Sequence, residues 1–329
     1  MNLPLVSIII PMYNQRLDYL RDCLKGALFQ TYPNIEVIIS DNHSTNGSSE
    51  ILNEYSSNER LKIVKPITHL NIIDHFTFAA SHASGEYISF LSSDDMLYPE
   101  CISKVVKPLI ENKDLSYSYC ENVVIDSDGN QKSFVRNLQM PTRIYNKKEV
   151  ARRIYNNSEY WIIGGVIRTE YYKKVGLQKN IIAGDWIMGL QLLRFGDVAY
   201  CNEALTAIRF HERTGEAKDL YAEQNILHYK QRIAKHNFII EDSELLTEIG
   251  IQKKQAISYR DKEILNAVVN LTRQYHKGLF SKEKINEILE LYKQTQTSFN
   301  FKFLTRFYNS KMGLLYTYVI GFYNRLFTK

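Results

Sequence analysis

Short apolar runs alternate with amphipathic stretches through the first part of the chain. The runs at 5–10, 35–40, 61–64 and 86–91 predict buried strands. Apolar residues at helical spacing follow the first run, at Leu17, Leu20, Leu24 and Leu28. Strands that alternate with helices and are covered on both faces are typical of a parallel α/β sheet with right-handed crossovers. The pattern therefore predicts a Rossmann-like, open, twisted and mostly parallel sheet that is flanked by helices.

The pattern changes near residue 215. Beyond it come long polar helical stretches at 221–238 and 281–294, and a tail at 293–329 that is rich in aromatic residues. A chain of 329 residues is long for one compact core. We therefore expect one large domain over 1–214 and an α-helical C-terminal appendage over 215–329.

Composition and charge narrow the class of protein. With 44% hydrophobic and 23% charged residues, the chain is typical of a globular protein. The tail has six basic residues and no acid, so the rest of the chain is almost neutral and the net charge of +5 comes from the tail. We therefore expect no nucleic-acid-binding surface. The four scattered cysteines form no Cys-x-x-Cys pair, and no basic segment precedes the first short apolar run. Both features favour a cytoplasmic protein with reduced thiols.

Polar residues follow three of the predicted strands, at 11–14, 41–46 and 92–95. Open α/β sheets bind ligands at the carboxyl ends of their strands, so these are the candidate binding segments. The chain has neither a Gly-x-Gly-x-x-Gly nor a Gly-Lys-Ser/Thr loop, which counts against a dinucleotide oxidoreductase and a P-loop NTPase.

The third segment contains the paired acids Asp94 and Asp95. Carboxylates on a loop suit a hard divalent cation that bridges to phosphates. The alternative is that one of the residues 92–95 caps a helix that begins near Pro99. The pair alone favours the capping interpretation.

Taken together, the three segments resemble the family 2 glycosyltransferases. "VSIIIPMYNQ" is similar to the opening strand and nucleotide loop of that family, "IEVIISDNHSTN" to its second strand, and "ASGEYISFLSSDDMLYP" to the strand that leads into its Asp-x-Asp metal motif. The resemblance covers about residues 4–214 and implies the GT-A fold, with a nucleotide-binding half at about 1–98 and an acceptor half at about 99–214. It also implies an inverting transfer of a sugar from a nucleotide-sugar, without a covalent enzyme intermediate.

The resemblance assigns a nucleotide pocket to the first two segments. Pro11 and Tyr13 would line the base and ribose pocket, and Asp41 would accept a hydrogen bond from the ring N–H of uracil or thymine. An acceptor-only carboxylate suits this imide donor, so we expect a UDP- or dTDP-sugar. The alternative for Asp41 is an Asx-turn in a loop that is rich in Asn and Ser.

The resemblance assigns the third segment to the nucleotide and the metal. Asp94 would be the direct ligand of Mn²⁺ or Mg²⁺, Ser92 and Ser93 would contact the nucleotide, and Asp95 would contact the diphosphate or the acceptor. Ser92 stands where the family usually has an aspartate, so we expect weaker cation binding here than in the family at large.

The acceptor half carries the expected general base. Asp185 matches the aspartate of the family's Glu-Asp pair, which deprotonates the acceptor hydroxyl, and Gly184 stands at the position of the glutamate. Asp185 could also cap the helix that follows, and the two roles are compatible. Trp186 would either contact the acceptor sugar or pack in the core.

The segment 208–214 resembles the family's closing Arg-x-His motif. By this resemblance His211 would bind the metal and Arg209 would contact the diphosphate. The residues His69, His75 and His82 have no metal-ligand spacing and are interpreted as surface or packing residues.

The tail has two interpretations. Its longest uncharged stretch, 312–324, has 13 residues, whereas a membrane-spanning helix needs about 20. The tail could lie on an anionic membrane with its aromatic residues inserted. It could instead pack on the catalytic domain or on a second subunit of a homo-oligomer.

We therefore expect a cytoplasmic enzyme, peripheral on the cytoplasmic face of the membrane if its tail binds lipid, whose glycan or lipid-linked acceptor belongs to surface polysaccharide synthesis. The alternative is a non-catalytic nucleotide-sugar-binding or assembly protein, which Ser92 and Gly184 motivate.

Overall fold

The computed structural model describes residues 3–135, 140–157, 164–177, 184–209, 230–231, 233–276, 283 and 286. The chain divides into two compact units. The first comprises Met1–Asn180, Gly184–Glu212 and Glu248–Gly250, and the second comprises Ile181–Ala183, Arg213–Thr247 and Ile251–Lys329. The functional roles expected for the two parts of the chain stay predictions.

A single sheet of ten strands organises the described part of the first unit. Its strands are β1 Val6–Met12, β2 Ile35–Asp41, β3 Leu61–Val64, β4 Tyr87–Phe90, β5 Met96–Leu97, β6 Leu115–Ile125, β7 Gln131–Val135, β8 Arg143–Tyr145, β9 Val166–Arg168 and β10 Asp197–Arg209. The four apolar runs of the N-terminal part coincide with β1 to β4 to within two residues at each end.

Helices connect the strands. They are α1 Leu17–Leu28, α2 Ser48–Glu54, α3 Ile72–Ala80, α4 Cys101–Glu111, α5 Lys147–Asn157, α6 Thr169–Val175 and α7 Gly184–Leu192, which continues as the 3₁₀ turn Leu193–Phe195. After β10, residues 233–241 are helical, followed by α8 Ser243–Glu248 and α9 Lys253–His276. None of the described helices is both long enough and apolar enough to cross a membrane.

The sheet order is β3-β2-β1-β4-β9-β6-β10-β5, with β7 beside β6 and β8 beside β10. The strands β3, β2, β1 and β4 are parallel, which confirms the predicted α/β class. The second half is mixed, because β6 and β10 are parallel while β9 lies between β4 and β6 and is antiparallel to both. Short connections cause part of this difference: the few residues between β6 and β7 permit only an antiparallel pair.

Helix α1 packs closely against the segment that follows β4. Its apolar face, including Leu20 and Leu24, belongs to the core that also contains the side chains of β1 and β2. A Cβ atom at Gly26 would lie 2.7 Å from the carbonyl oxygen of Leu97. Only glycine allows this approach without displacing backbone. The helix therefore forms a wall behind the acidic segment 92–95.

Two predictions concern residues outside the described ranges. His211 and the tail at 293–329 both lie there. The metal-binding role of His211 and the two interpretations of the tail stay predictions.

Candidate active site

Hydrogen bonds join the loops that follow β1 and β2. Strand β1 ends beside β2, where Met12 pairs with Asp41. The Asn14 N–H donates to the Ser44 hydroxyl over 2.9 Å, and the Asn14 Oδ1 accepts from the Thr45 N–H over 2.7 Å. Asn14 has a φ of 46°, a left-handed conformation that asparagine tolerates. The first two candidate segments thus form one surface.

Gln15 connects this surface to the third segment. Its carbonyl oxygen accepts a hydrogen bond from Asn46 Nδ2 over 3.0 Å, and its Oε1 accepts from the Ser93 hydroxyl over 3.0 Å. The carboxyl ends of β1, β2 and β4 therefore lie together, as expected for an open α/β sheet. We call the surface formed by residues 13–16, 41–46 and 92–95 the strand-end site.

Asp41 is buried at the edge of the strand-end site, with 4% of its surface exposed. Its Oδ1 accepts from the Ser44 N–H over 2.9 Å, and its Oδ2 accepts from the Ser49 hydroxyl over 2.7 Å. Burial alone would raise the pKa of Asp41, but these hydrogen bonds and the charge of Lys65 at 3.7 Å outweigh it and lower that pKa. The carboxylate is therefore held ionised. The hydrogen bond from the Ser44 N–H is the Asx-turn contact that the sequence offered as the alternative role of Asp41. The two carboxylate oxygens offer about four lone pairs, so Asp41 can accept a further hydrogen bond from a ligand.

Tyr13 is the exposed aromatic residue of the strand-end site, with 51% of its surface accessible. The ring of His69 meets it edge-on, with the ring centroids 4.7 Å apart, and His69 Nδ1 lies 3.1 Å from the carbonyl oxygen of Asn42. Pro11 is buried within β1, two residues before Tyr13. His69, interpreted from the sequence as a surface or packing residue, thus belongs to the rim of the site.

The acidic segment does not cap helix α4. The residue at the N-cap of α4 is Glu100, and strand β5 separates it from the segment 92–95. No side chain makes a capping hydrogen bond there. The capping interpretation of the two acids is therefore wrong.

Asp94 and Asp95 have different environments. Asp95 is 7% exposed, and its Oδ1 accepts from the N–H of Arg209 over 2.9 Å. Burial, together with the charge of Asp94, raises the pKa of Asp95 to about 7. Asp94 is half-buried, and Ser92 is exposed. Of the two carboxylates, Asp94 is the one more accessible to a ligand from solution.

Arg209 lies beside both acids, but its guanidinium faces the protein. The side chain is 1% exposed, and its Nε donates to the carbonyl oxygen of Asp94 over 3.0 Å. Nη2 lies 3.1 Å from Asp22 Oδ2, and Nη1 lies 3.2 Å from the carbonyl oxygen of Asp126. The expected contact of Arg209 with a diphosphate does not fit this geometry, because the diphosphate would have to displace these partners.

Asp185 lies in the first turn of α7 and is half-buried. Its Oδ1 accepts from the Trp186 N–H over 2.8 Å, so it satisfies one of the free donors at the start of the helix. The Trp186 side chain is 3% exposed and meets the Tyr155 ring edge-on at 5.3 Å. These contacts support the packing role of Trp186, and we propose no acceptor contact for it.

The described residues contain no group of three or more side chains that could hold a metal ion by themselves. A Mg²⁺ or Mn²⁺ ion that is shared with a diphosphate needs only one or two carboxylates from the protein. The half-buried Asp94 carboxylate, backed by Asp95, fits that smaller requirement.

One further buried acid, Glu121, does not belong to any of the predicted binding segments. Glu121 lies inside β6 with 4% of its surface exposed. Its Oε2 accepts from the Tyr200 hydroxyl over 2.8 Å, and its Oε1 accepts from the Asn122 N–H over 2.9 Å. An acid inside the run 115–125, which is mostly apolar and aromatic and carries no other charge, is the sequence signal that could have identified it.

The fold and the strand-end site together define a GT-A protein, in which an acidic pair follows the fourth strand. A model of the family "Glycosyl transferase family 2" matches residues 7–176. The chain belongs to glycosyltransferase family 2.

Relatives and solved structures agree with this assignment. An uncharacterized glycosyltransferase of Rickettsia typhi is 30% identical over 216 residues, which are 64% of this chain and 65% of that protein. The chondroitin synthase of Pasteurella multocida is 37% identical over 129 residues, 39% of this chain and 13% of the synthase. The chain thus spans less than two thirds of the length of these relatives. The crystal structure of S. aureus TarS 1-349 has a TM-score of 0.59 at 15% identity, covering 90% of this chain and 93% of that chain, and it shows the shared fold.

Proposed function

We propose that the chain is an inverting glycosyltransferase that moves a sugar from a UDP- or dTDP-sugar to a hydroxyl group of a glycan or lipid-linked oligosaccharide. The observation that carries this proposal is the strand-end site, where hydrogen bonds join the loops that carry Tyr13 and Asp41 to each other and to the acidic segment 92–95. Polysaccharide synthesis is the proposed context, since a chondroitin synthase is among the relatives.

The nucleotide would bind at the ends of β1 and β2. Asp41, ionised and fixed by Ser44 and Ser49, would accept the ring N–H of a pyrimidine. Tyr13 offers an exposed aromatic face to the base or ribose. A structure of TarS 1-349 in complex with UDP-GlcNAc has a TM-score of 0.55, and one of the mannosyltransferase PcManGT with GDP-Man and Mn²⁺ has a TM-score of 0.51. The fold is thus compatible with either nucleotide, and the chemistry of Asp41 is our reason to propose a pyrimidine.

The diphosphate would lie over the segment 92–95. Asp94 would hold Mn²⁺ or Mg²⁺, with His211 as a further proposed ligand, and Ser92 and Ser93 would contact the nucleotide. When bound, the cation would neutralise charge on the leaving diphosphate. Asp95, turned inward to the Arg209 N–H, would support the loop and leave direct binding to Asp94.

Asp185 would act on the acceptor. Direct displacement at the anomeric carbon needs a proton acceptor on the face opposite the leaving nucleotide. The hydrogen bond to the Trp186 N–H holds the Asp185 carboxylate at the start of α7, and this carboxylate would take the proton of the hydroxyl group. The acceptor identity, membrane association through the tail, cytoplasmic location and homo-oligomerisation are proposals that rest on the sequence.

A non-catalytic nucleotide-sugar-binding protein is the second candidate. Serine instead of an acid at position 92, and glycine instead of the glutamate at position 184, favour it. Such a protein would bind a nucleotide-sugar but would not turn it over.

Slow hydrolysis of UDP-sugars in the presence of Mn²⁺ separates the two candidates. We expect the wild type to release UDP, and we expect Asp185→Asn to lose about a hundredfold or more in rate, the usual contribution of a general base. UDP binding by calorimetry should stay within about twofold of the wild type, because Asp185 does not belong to the strand-end site. Glu170→Gln is the matched control, because Glu170 is an exposed acid in the first turn of α6. It should change neither the rate of UDP-sugar hydrolysis nor the affinity for UDP.

Two results would contradict the enzyme assignment. Binding of UDP-sugars without any turnover would favour the non-catalytic protein. Turnover by Asp185→Asn at the wild-type rate would remove the proposed base.

A further inference from the structure

Arg209 forms a buried junction behind the acidic segment. Its backbone N–H donates to Asp95 Oδ1, and its Nε donates to the carbonyl oxygen of Asp94. Both acids are therefore tied to this one residue at the end of β10. The orientation of the two acids therefore depends on the contacts that fix the Arg209 side chain.

Helix α1 holds that guanidinium from the other side. Asp22 Oδ2 lies 3.1 Å from Arg209 Nη2, and the Tyr19 ring lies beneath the guanidinium carbon at 4.0 Å. The carbonyl oxygens of Asp126 and Ser127, in the turn between β6 and β7, accept from Nη1. Among the described residues, Asp22 is the only one whose carboxylate contacts this guanidinium.

Asp22 compensates the charge of the buried Arg209 guanidinium. A guanidinium that is 1% exposed loses most of its hydration, and neutral carbonyl groups do not compensate its charge. Asp22 supplies the opposite charge, while its own side chain is 43% exposed. The ion pair therefore extends from the surface of α1 to the base of the acidic segment.

We infer that Asp22 is a positioning residue of the donor site, which acts through Arg209 on Asp94. This inference rests on the proposed function. With the ion pair in place, Nε fixes the backbone that carries the Asp94 carboxylate, and the Arg209 N–H turns Asp95 inward. The neighbouring residue Cys23 supports the same wall, since its thiol donates to the carbonyl oxygen of Ser92 over 3.5 Å.

Asp22→Asn tests the inference. It removes the charge, keeps the size of the side chain, and replaces one residue by another of similar helix propensity. We expect the affinity for Mn²⁺ in the presence of UDP, measured by electron paramagnetic resonance of free Mn²⁺, to fall about tenfold, which is the loss of a single charge-assisted contact. The Michaelis constant for the donor should rise at limiting Mn²⁺, while kcat at saturating Mn²⁺ should stay within about threefold.

An ion pair between α1 and α2 provides a matched control. Arg21 and Glu54 form an ion pair of 2.6 Å with side chains 39% and 48% exposed, away from the acidic segment. Glu54→Gln should leave Mn²⁺ affinity unchanged. Asp22→Glu keeps the charge and should recover most of the affinity, whereas a purely structural role of the side chain would not depend on its charge.

The outcomes are distinguishable. The inference would be overturned, but not the proposed function, if Asp22→Asn bound Mn²⁺ with wild-type affinity. It would also be overturned if Glu54→Gln lost as much Mn²⁺ affinity as Asp22→Asn. Equal losses of Mn²⁺ affinity in Asp22→Asn and Asp22→Glu, with a matching fall in Tm, would also overturn it, because they would indicate general damage to α1. Failure of the wild type to bind UDP at all would instead overturn the proposed function, and the inference with it.

Discussion

Replacement of Asp41 by asparagine tests the recognition of the nucleotide base. The variant keeps the shape of the side chain and one acceptor oxygen, but it removes the charge and turns the other oxygen into an N–H₂ donor. In the wild type, Oδ1 is bonded to the Ser44 N–H and Oδ2 to the Ser49 hydroxyl, so the single amide oxygen of the variant side chain would be shared between the loop and the ligand. We expect the loop to keep that oxygen and the base to lose its acceptor.

The expected magnitude follows from the same contacts. A hydrogen bond to a charged group contributes about 1.5–3 kcal/mol. Asp41 already accepts two internal bonds, so we expect the lower end of this range, which is a loss of about 10- to 30-fold in UDP affinity. The pair with Lys65 adds little, because Lys65 is 52% exposed and 3.7 Å away.

Calorimetric titration with UDP measures this loss, and Ser49→Ala is the control. That variant removes the partner of Oδ2 but leaves the carboxylate charged, so its UDP affinity should stay within about twofold of the wild type. UDP affinity equal to that of the wild type in Asp41→Asn would refute the reasoning. An equal loss in Ser49→Ala would show that Asp41 acts through the loop and does not contact the base.

Three further predictions concern stability and the metal. In Gly26→Ala, the new Cβ would lie 2.7 Å from the Leu97 carbonyl oxygen; we expect a net loss of about 1–2 kcal/mol after the gain in helix propensity, seen as a lower Tm together with weaker binding of Mn²⁺ and UDP. Burial opposes but does not cancel the hydrogen bonds that lower the pKa of Asp41, so its contribution to folding is present above about pH 4 and is lost as the pH falls through the lowered value. Thermal unfolding of Asp41→Asn from about pH 6 to about pH 3 should therefore show a smaller acid-induced fall in Tm than the wild type, and an equal fall would contradict this assignment. Ser92→Asp adds a third acid to the segment 92–95, at an exposed position two residues before Asp94; Mn²⁺ binding, followed by electron paramagnetic resonance, should become tighter, and weaker or unchanged binding would show that residue 92 does not face the cation.

The strands in the first half of the sheet could be predicted from the sequence alone. Strands β1 and β2 are mostly apolar and lead into polar loops, so their existence and the position of Asp41 follow from local pattern alone. The mixed pairing around β9 was not predictable in this way. Three residues, Val166–Arg168, carry no periodic signal, and their direction is decided by the neighbours β4 and β6.

The candidate site was predictable as a set of residues but not as a set of contacts. Two adjacent acids look alike in a sequence, whereas Asp95 turns inward to the Arg209 N–H and Asp94 stays accessible. The motif placed Arg209 near the phosphate, but the ion pair with Asp22 joins residues that are 187 positions apart. Only the three-dimensional packing of α1 against β10 brings those two charges together.

The binding of UDP with and without Mn²⁺, compared between the wild type and Asp94→Asn, tests the central claim most directly. We predict that the wild type binds UDP more tightly than GDP and that Mn²⁺ strengthens UDP binding. Asp94→Asn should keep the metal-free affinity and lose the Mn²⁺-dependent gain, because only its carboxylate is proposed to join the cation to the protein at this segment. A wild type that binds no pyrimidine nucleotide, or a Mn²⁺-dependent gain that survives in Asp94→Asn, would contradict the account.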